Sequence, residues 1–456
     1  MPGRRFVEWQ QRLDELVRRH GVPGASLAVL ADGDVSTAAS GTLNVEAGVT
    51  ATPASVFQIG SITKIFTTTL VMRLVDEHLL DLDQLVATVL PELRLADADA
   101  LSRITVRHLL THTSGIPGDH FVDTGRGDDA VAKYAETCAD LGLVHPVGAL
   151  MSYCNTGFVL AGRIVERLTG QPWREALRTR LLEPAGLHET VSLPEDALRF
   201  RVAYGHDVDG DRPPTLVARW QLPPSTAPAG STLCATARDV VGMARVHLDG
   251  GLGVNGREVL TDASVAAMRT RSVLLHRGST AAGWGLGWAL YDWNGRRAFG
   301  HDGGTIGQSS FLRVVPDAGV AIALLTNGGR AEDLYQELFD GLLAEFCDLA
   351  LPPRPTPPDV PVDLDLTAYA GTYATVGRRV ELTVEDRGLV ARVSATDALA
   401  EVVDQPVEEY VLVPVEKDLF LTRQADARSW TPVAFSTLED GSVYAHFGLR
   451  AVPKVG

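Results

Sequence analysis

Phe57-Gln58-Ile59-Gly60-Ser61-Ile62-Thr63-Lys64 runs directly into the apolar stretch Ile65-Phe66-Thr67-Thr68-Thr69-Leu70. Gly60 and Ser61 stand where a helix would start, and Ser61 to Lys64 is an i,i+3 step that sets a hydroxyl and an amine on one helical face. A serine hydroxyl is a poor nucleophile unless a neighbour takes its proton. Lysine does this only when neutral, so burial has to lower its pKa. The chain contains four lysines, Lys64, Lys133, Lys417 and Lys454, and otherwise draws its positive charge from arginine, which does not deprotonate. The same spacing also suits a helix cap followed by a solvated lysine, so other segments have to decide between the two.

The 456 residues are 45% hydrophobic and 21% charged, enough for one large core and a smaller one. A net charge of −16 argues against nucleic acid or an anionic membrane as the main partner, because both are bound through excess positive charge. Met1 to Trp9 leads into a helix pattern with Leu13, Leu16 and Val17. Neither the apolar core of a signal peptide nor an 18-residue apolar span is found, which predicts a cytoplasmic protein. Cys138, Cys154, Cys234 and Cys347 lack metal or disulfide spacing and fit a reducing compartment.

Working outward from Ser61, the chain opens with a helix ending near His20. Two antiparallel strands follow, around 25–30 and 35–39, joined at Asp32-Gly33. A mostly helical region then extends to about residue 245. Within it His108 and His112 are spaced i,i+4 but have no third ligand in helical reach, so packing or capping is expected and no metal. Further on, Tyr153 and Asn155 in Met151-Ser152-Tyr153-Cys154-Asn155 share a side of an extended or loop segment. From about 283 strand signals return: Gly285 to Tyr291, Arg297 to His301, Ser309 to Val315 and Val320 to Leu325 read as an antiparallel meander. A helix over about 331–349 closes this part, with Leu334, Leu338, Leu342, Leu343 and Phe346 facing inward. The strands at its two ends are expected to share one sheet. Leu351 to Pro358 reads as a stiff polyproline-type linker, and beyond it six short strand patterns predict a small antiparallel barrel or sandwich.

Ser61-x-x-Lys64, Tyr153-x-Asn155 and His301-Asp302-Gly303-Gly304, in this order and at these intervals, resemble the serine β-lactamase and penicillin-binding-protein superfamily. Leu109-Leu110-Thr111-His112-Thr113-Ser114-Gly115 and Ala229-Gly230-Ser231 add to the resemblance, which covers residues 5–350. It implies an α/β fold of the α+β kind: a transpeptidase-like antiparallel sheet with an inserted helical region over 1–350, a Pro-rich linker over 351–361, and a lipocalin-like antiparallel β-barrel over 362–456. It also implies Ser61 as nucleophile, Lys64 as base, Tyr153 as proton shuttle, and Asn155 as a partner of Lys64 and of the substrate. His301 would hold the tyrosine or a polar group of the substrate. The backbone N–H groups of Ser61 and Gly304 would form the oxyanion hole, and Gly303 and Gly304 would let the substrate backbone lie close.

The third motif departs from the lysine-threonine-glycine of β-lactamases and matches the histidine form of the superfamily's esterases, D-aminopeptidases and peptide cyclases. With a single C-terminal domain, the chain most resembles the penicillin-binding-protein-type thioesterases, exemplified by the surugamide cyclase. That resemblance implies a cofactor-free, trans-acting thioesterase. It would take a linear peptide from the carrier-protein domain of a nonribosomal peptide synthetase and release it by head-to-tail macrocyclisation, with Arg450 as a candidate substrate contact from the barrel. The alternatives are a hydrolase of the same superfamily, either an esterase or a D-stereospecific peptidase, and a non-catalytic scaffold with this fold.

Overall fold

A computed structural model describes residues 2–208, 212–360, 362–396, 407–423 and 429–456. Helix α1 (Pro2–Arg19) precedes β1 (Gly24–Ala31) and β2 (Asp34–Asn44), whose turn places Asp32 and Gly33 at φ 54° and 82°. The two-residue strand β3 (Val49–Thr50) borders β2. Helix α2 (Thr63–Asp76) follows the Ser61 turn. Its weak amphipathicity is explained by its place, since Thr63 to Met72 are all buried. Further into the inserted region lie α3 (Asn155–Thr169) and α4 (Ala237–Leu248).

The chain then returns as β4 (Val273–Leu274), β5 (Gly283–Trp284), β6 (Ala289–Trp293), β7 (Arg296–Thr305), β8 (Gln308–Val315) and β9 (Val320–Thr326). The nine-stranded antiparallel sheet has the order β4-β5-β6-β7-β8-β9-β1-β2-β3. Ala25 stands opposite Thr326 and Leu30 opposite Ala321, so the two ends of the α/β part do share one sheet. Being central explains why β1 and β9 are apolar on both faces. One face is covered by α1 and α5 (Ala331–Cys347) through Leu13, Leu16, Leu334, Leu338 and Leu342, and the other by α2, α3 and α4.

The single strand expected over Gly285–Tyr291 is in fact broken. Gly285 to Trp288 crosses over α2, and Gly287 takes φ +71° at a point where a Cβ would lie 2.3 Å from Thr68 Oγ1. A side chain there would push the sheet edge off the Ser61 helix.

The C-terminal part is an eight-stranded meander: β10 (Gly371–Thr375), β11 (Arg378–Glu385), β12 (Gly388–Ala395), β13 (Val407–Glu416), β14 (Leu419–Thr422), β15 (Thr431–Thr437), β16 (Val443–Phe447) and β17 (Arg450–Pro453). Thr372 N–H donates to Gly456 O at 2.8 Å and Val455 N–H to Thr372 O at 2.8 Å, which bring first and last strands together into a nearly closed barrel. Tyr369, Tyr373, Phe420 and Phe435 fill it. Two of these strands lie outside the six sequence patterns. Pro432 and three Ser/Thr residues blur β15, and β17 is a four-residue strand behind a Gly448-Leu449 turn.

The Pro-rich segment lies against α5, with Leu351 packed on its core and Arg354 3.3 Å from Asp333. Among the described residues no helix is long and apolar enough to cross a membrane.

Candidate active site

Ser61 is the middle residue of a 3₁₀ turn, Gly60–Ile62, that leads into α2. Gly60 takes φ +51°, and a Cβ there would lie 2.6 Å from Gly304 N, so this glycine lets the nucleophile turn press against β7. Ser61 is half-buried at the floor of a cavity of about 580 Å³, and Lys64, one turn further, is fully buried.

Lys64 Nζ lies 2.6 Å from Ala229 O, 2.8 Å from Asn155 Oδ1 and 3.1 Å from Ser61 Oγ. Burial, with the Arg450 charge as a second cause, holds its pKa well below the usual lysine range. No carboxylate bonds to it. Two of its three partners are carbonyl oxygens that only accept, so a neutral amine gives both its N–H groups to them and turns its lone pair toward Ser61 O–H. This geometry suits a base for Ser61. Asn155 reaches Lys64 because it opens α3, with Cys154 at the cap and Asn155 N–H donating to Gly118 O at 3.2 Å.

Tyr153 is buried in the cavity wall with its ring 4.8 Å from Lys64 Nζ. Its hydroxyl lies beside Ser61, outside full hydrogen-bond geometry. Burial pushes the phenol up, which keeps it protonated, and the neighbouring Ser61 pulls the other way. His301, on β7, donates from Nδ1 to Asp302 O at 2.6 Å, since a carbonyl accepts only. Burial lowers its pKa to about 4, so the ring is neutral at pH 7 and its buried Nε2 is an acceptor without a partner. Gly303 and Gly304 differ: a Cβ at Gly303 would lie 2.0 Å from Ile59 O, whereas one at Gly304 meets nothing within 4 Å. Leu449 and Arg450 of the barrel complete the wall of the Ser61 cavity.

The sequence profile of the Beta-lactamase family matches residues 9–344. The chain belongs to that family. This member of the Beta-lactamase family is 50% identical over 374 residues to "Penicillin-binding protein 4" of Amycolatopsis lactamdurans, which is 81% of this chain and 98% of the relative. The crystal structure of SurE superposes with a TM-score of 0.80 at 31% identity over 100% of both chains. SurE with D-Leu gives a TM-score of 0.77 at 29% identity over 99% of this chain and 100% of that one. A D-stereospecific amidohydrolase from Streptomyces sp. gives 0.60 at 28% identity, over 75% of this chain and 98% of its own.

Ser61, Lys64, Tyr153, Asn155, His301, Gly303, Gly304 and Arg450 therefore meet around one cavity of a Beta-lactamase-family fold, Lys64 lying just beneath its wall. Other residues join them that the sequence did not single out. Trp284 sets its edge against His301, Tyr153 and His112 with ring centroids 5.3, 6.0 and 5.1 Å apart. His112 stacks on Tyr153 at 4.4 Å, and its Nδ1 accepts from Cys154 N–H at 2.9 Å. His112 does pack, as expected, but on the tyrosine of the site, while His108 closes the capping box of its helix with Thr105. Asp119 pairs with Arg450. Nothing in residue type or spacing marks Asp119 or Trp284, which come from loops more than thirty residues from any motif they touch. Cys154 is free and buried, its thiol pushed up to about 11, which leaves it a structural rather than a reactive group.

Proposed function

We propose that this protein is a serine acyl transferase that takes a linear peptidyl thioester from a carrier-protein domain and releases it by head-to-tail macrocyclisation. Ser61 Oγ attacks the thioester carbonyl carbon as Lys64 Nζ takes its proton. The backbone N–H groups of Ser61 and Gly304 receive the developing oxyanion, each such donor being worth about 3 kcal/mol in the transition state. The C–S bond breaks, the thiol leaves with a proton, and the peptide remains as an ester on Ser61. The peptide's own N-terminal amine then attacks that ester, and its proton returns through Tyr153 and Lys64 to Ser61 Oγ. His301 Nε2, a neutral acceptor, receives a hydrogen bond from Tyr153 or from a substrate N–H.

The observation that carries this reading is that the barrel is part of the Ser61 cavity. Leu449 and Arg450 stand in the same wall as Tyr153 and His301, where they narrow the access of water to the ester. The likeness to SurE, solved with D-Leu, extends over the whole chain, barrel included, and supports a C-terminal D-residue as the acyl group. The D-stereospecific amidohydrolase matches only 75% of this chain, and that likeness favours a second reading in which water replaces the amine.

The experiment is mass spectrometry of products from a linear peptide thioester ending in a D-residue, with Ser61→Ala in parallel. A serine-dependent product one water lighter than the free acid supports the cyclase, and linear acid alone supports the hydrolase. No labelling of Ser61 by a fluorophosphonate would leave the scaffold.

A further inference from the structure

The four residues that carry Tyr153 and Asn155 are held from two sides, and one of those sides is the barrel. Ser152 N–H donates to His112 O at 2.9 Å, Cys154 N–H to His112 Nδ1 at 2.9 Å, and Asn155 N–H to Gly118 O at 3.2 Å, all within the α/β part. Tyr153 N–H instead donates to Leu449 O of the barrel at 2.8 Å. Next to it, Ala451 N–H donates to Ser152 Oγ at 3.1 Å. The turn between β16 and β17 thus continues the hydrogen bonding of the catalytic loop across the domain boundary.

Arg450 sits between these two bonds. Its guanidinium lies 5.4 Å from the centre of the Tyr153 ring and grips Asp119 with both arms, Nη2 to Oδ1 at 2.6 Å and Nε to Oδ2 at 2.5 Å. The Asp119 side chain is 5% exposed, so its charge relies on that partner. Asp119 follows Gly118, where a Cβ would lie 2.2 Å from Tyr153 O and whose carbonyl holds Asn155. Pro117 O, one residue earlier, accepts from Thr156 Oγ1 at 2.7 Å. The Arg450–Asp119 pair therefore ties the barrel to the segment that backs Tyr153 and Asn155.

We infer that Arg450 is a positioning residue that sets the Tyr153 side chain against Ser61 by way of Asp119 and the Leu449 carbonyl. The barrel then helps to build the acylation machinery as well as to cover it. This rests on the acyl-transfer reading above. In it, both steps pass a proton through Tyr153, and misplacing a reacting group by about 1 Å costs up to roughly a hundredfold in rate.

The test compares two acyl donors, p-nitrophenyl acetate, whose acyl group extends only two carbons from Ser61, and a long peptide thioester. Arg450→Gln and Asp119→Asn are each expected to slow acylation by both donors by the same factor, about 10 to 100, with KM for the peptide unchanged. The double variant is expected to be no slower than the slower single one, and Arg450→Lys, which keeps the charge but not the two-armed grip, to fall in between. Melting temperatures separate loss of fold from loss of position. Should Arg450→Gln not fold, Ser152→Ala, which removes one acceptor of the same turn, is expected to slow acetylation several-fold at unchanged KM. Wild-type acetylation rates in Arg450→Gln or Ser152→Ala, with only the peptide's KM raised, would overturn the inference and make Arg450 a substrate-binding group. A wild-type enzyme never acetylated on Ser61 would overturn the acyl-transfer reading itself, and this inference with it.

Discussion

Replacing Asn155 by aspartate tests the role of Lys64 at its most sensitive point. The substitution is isosteric and sets a carboxylate where a neutral amide oxygen lies 2.8 Å from Lys64 Nζ. At an effective dielectric near 20, unit charges at that distance attract by about 6 kcal/mol, which corresponds to roughly four pH units. Burial of the new carboxylate opposes part of this. The sign is fixed: a negative neighbour favours the ammonium, and only the neutral amine accepts the proton of Ser61. The acid limb of the rate profile is therefore expected to move upward by two units or more. The assay is the second-order rate of Ser61 labelling by a small fluorophosphonate between pH 5 and 10, because that reaction needs the serine activated but no peptide bound. Asn155→Asp should lose at least a hundredfold at pH 7 and recover most of it at pH 10. An unmoved acid limb, whether the rate is unchanged or uniformly lowered, would refute Lys64 as the base.

Other outcomes follow from the same geometry. Lys64→Arg keeps a cation but has no neutral form, and should cut labelling by about 10²- to 10⁴-fold at every pH; recovery at alkaline pH would argue for another base. Gly303→Ala drives a methyl to within 2.0 Å of Ile59 O, so urea unfolding should show a loss of more than about 2 kcal/mol. Gly304→Ala, with nothing within 4 Å, should keep its urea midpoint and lose activity instead. Burial lowers the pKa of His301 to about 4 and of His247 and His446 to about 3, so between their unfolded value of 6.5 and those values the unfolded chain binds more protons. Stability should thus fall as pH drops below 6.5. Asp239, raised to about 6 by burial, works in the opposite direction, but it is one group against three. An equal or higher urea midpoint at pH 4.5 than at pH 7 would contradict this balance.

Much of this protein was legible along the chain. Alternation and turn residues located β1, β2 and the β7–β9 meander because strand faces and tight turns leave local marks. The i,i+3 step from Ser61 to Lys64 was readable because a helix makes such neighbours regardless of what surrounds it. The sequence also singled out Tyr153, Asn155, His301 and Gly304, and with them the Beta-lactamase family. What it did not show is how these groups are held. Lys64 becomes a base through burial and through the carbonyls of Ala229 and Asn155, 165 and 91 residues away in the chain. His112 beneath Tyr153, Trp284 beside His301, and Asp119 paired with Arg450 331 residues later are contacts between loops, which have no periodicity of their own. Residue types and spacings determined which chemistry this chain carries. Only the tertiary structure decided that the barrel shares the cavity and grips the catalytic loop, because desolvation and long-range pairing exist only once distant segments have met.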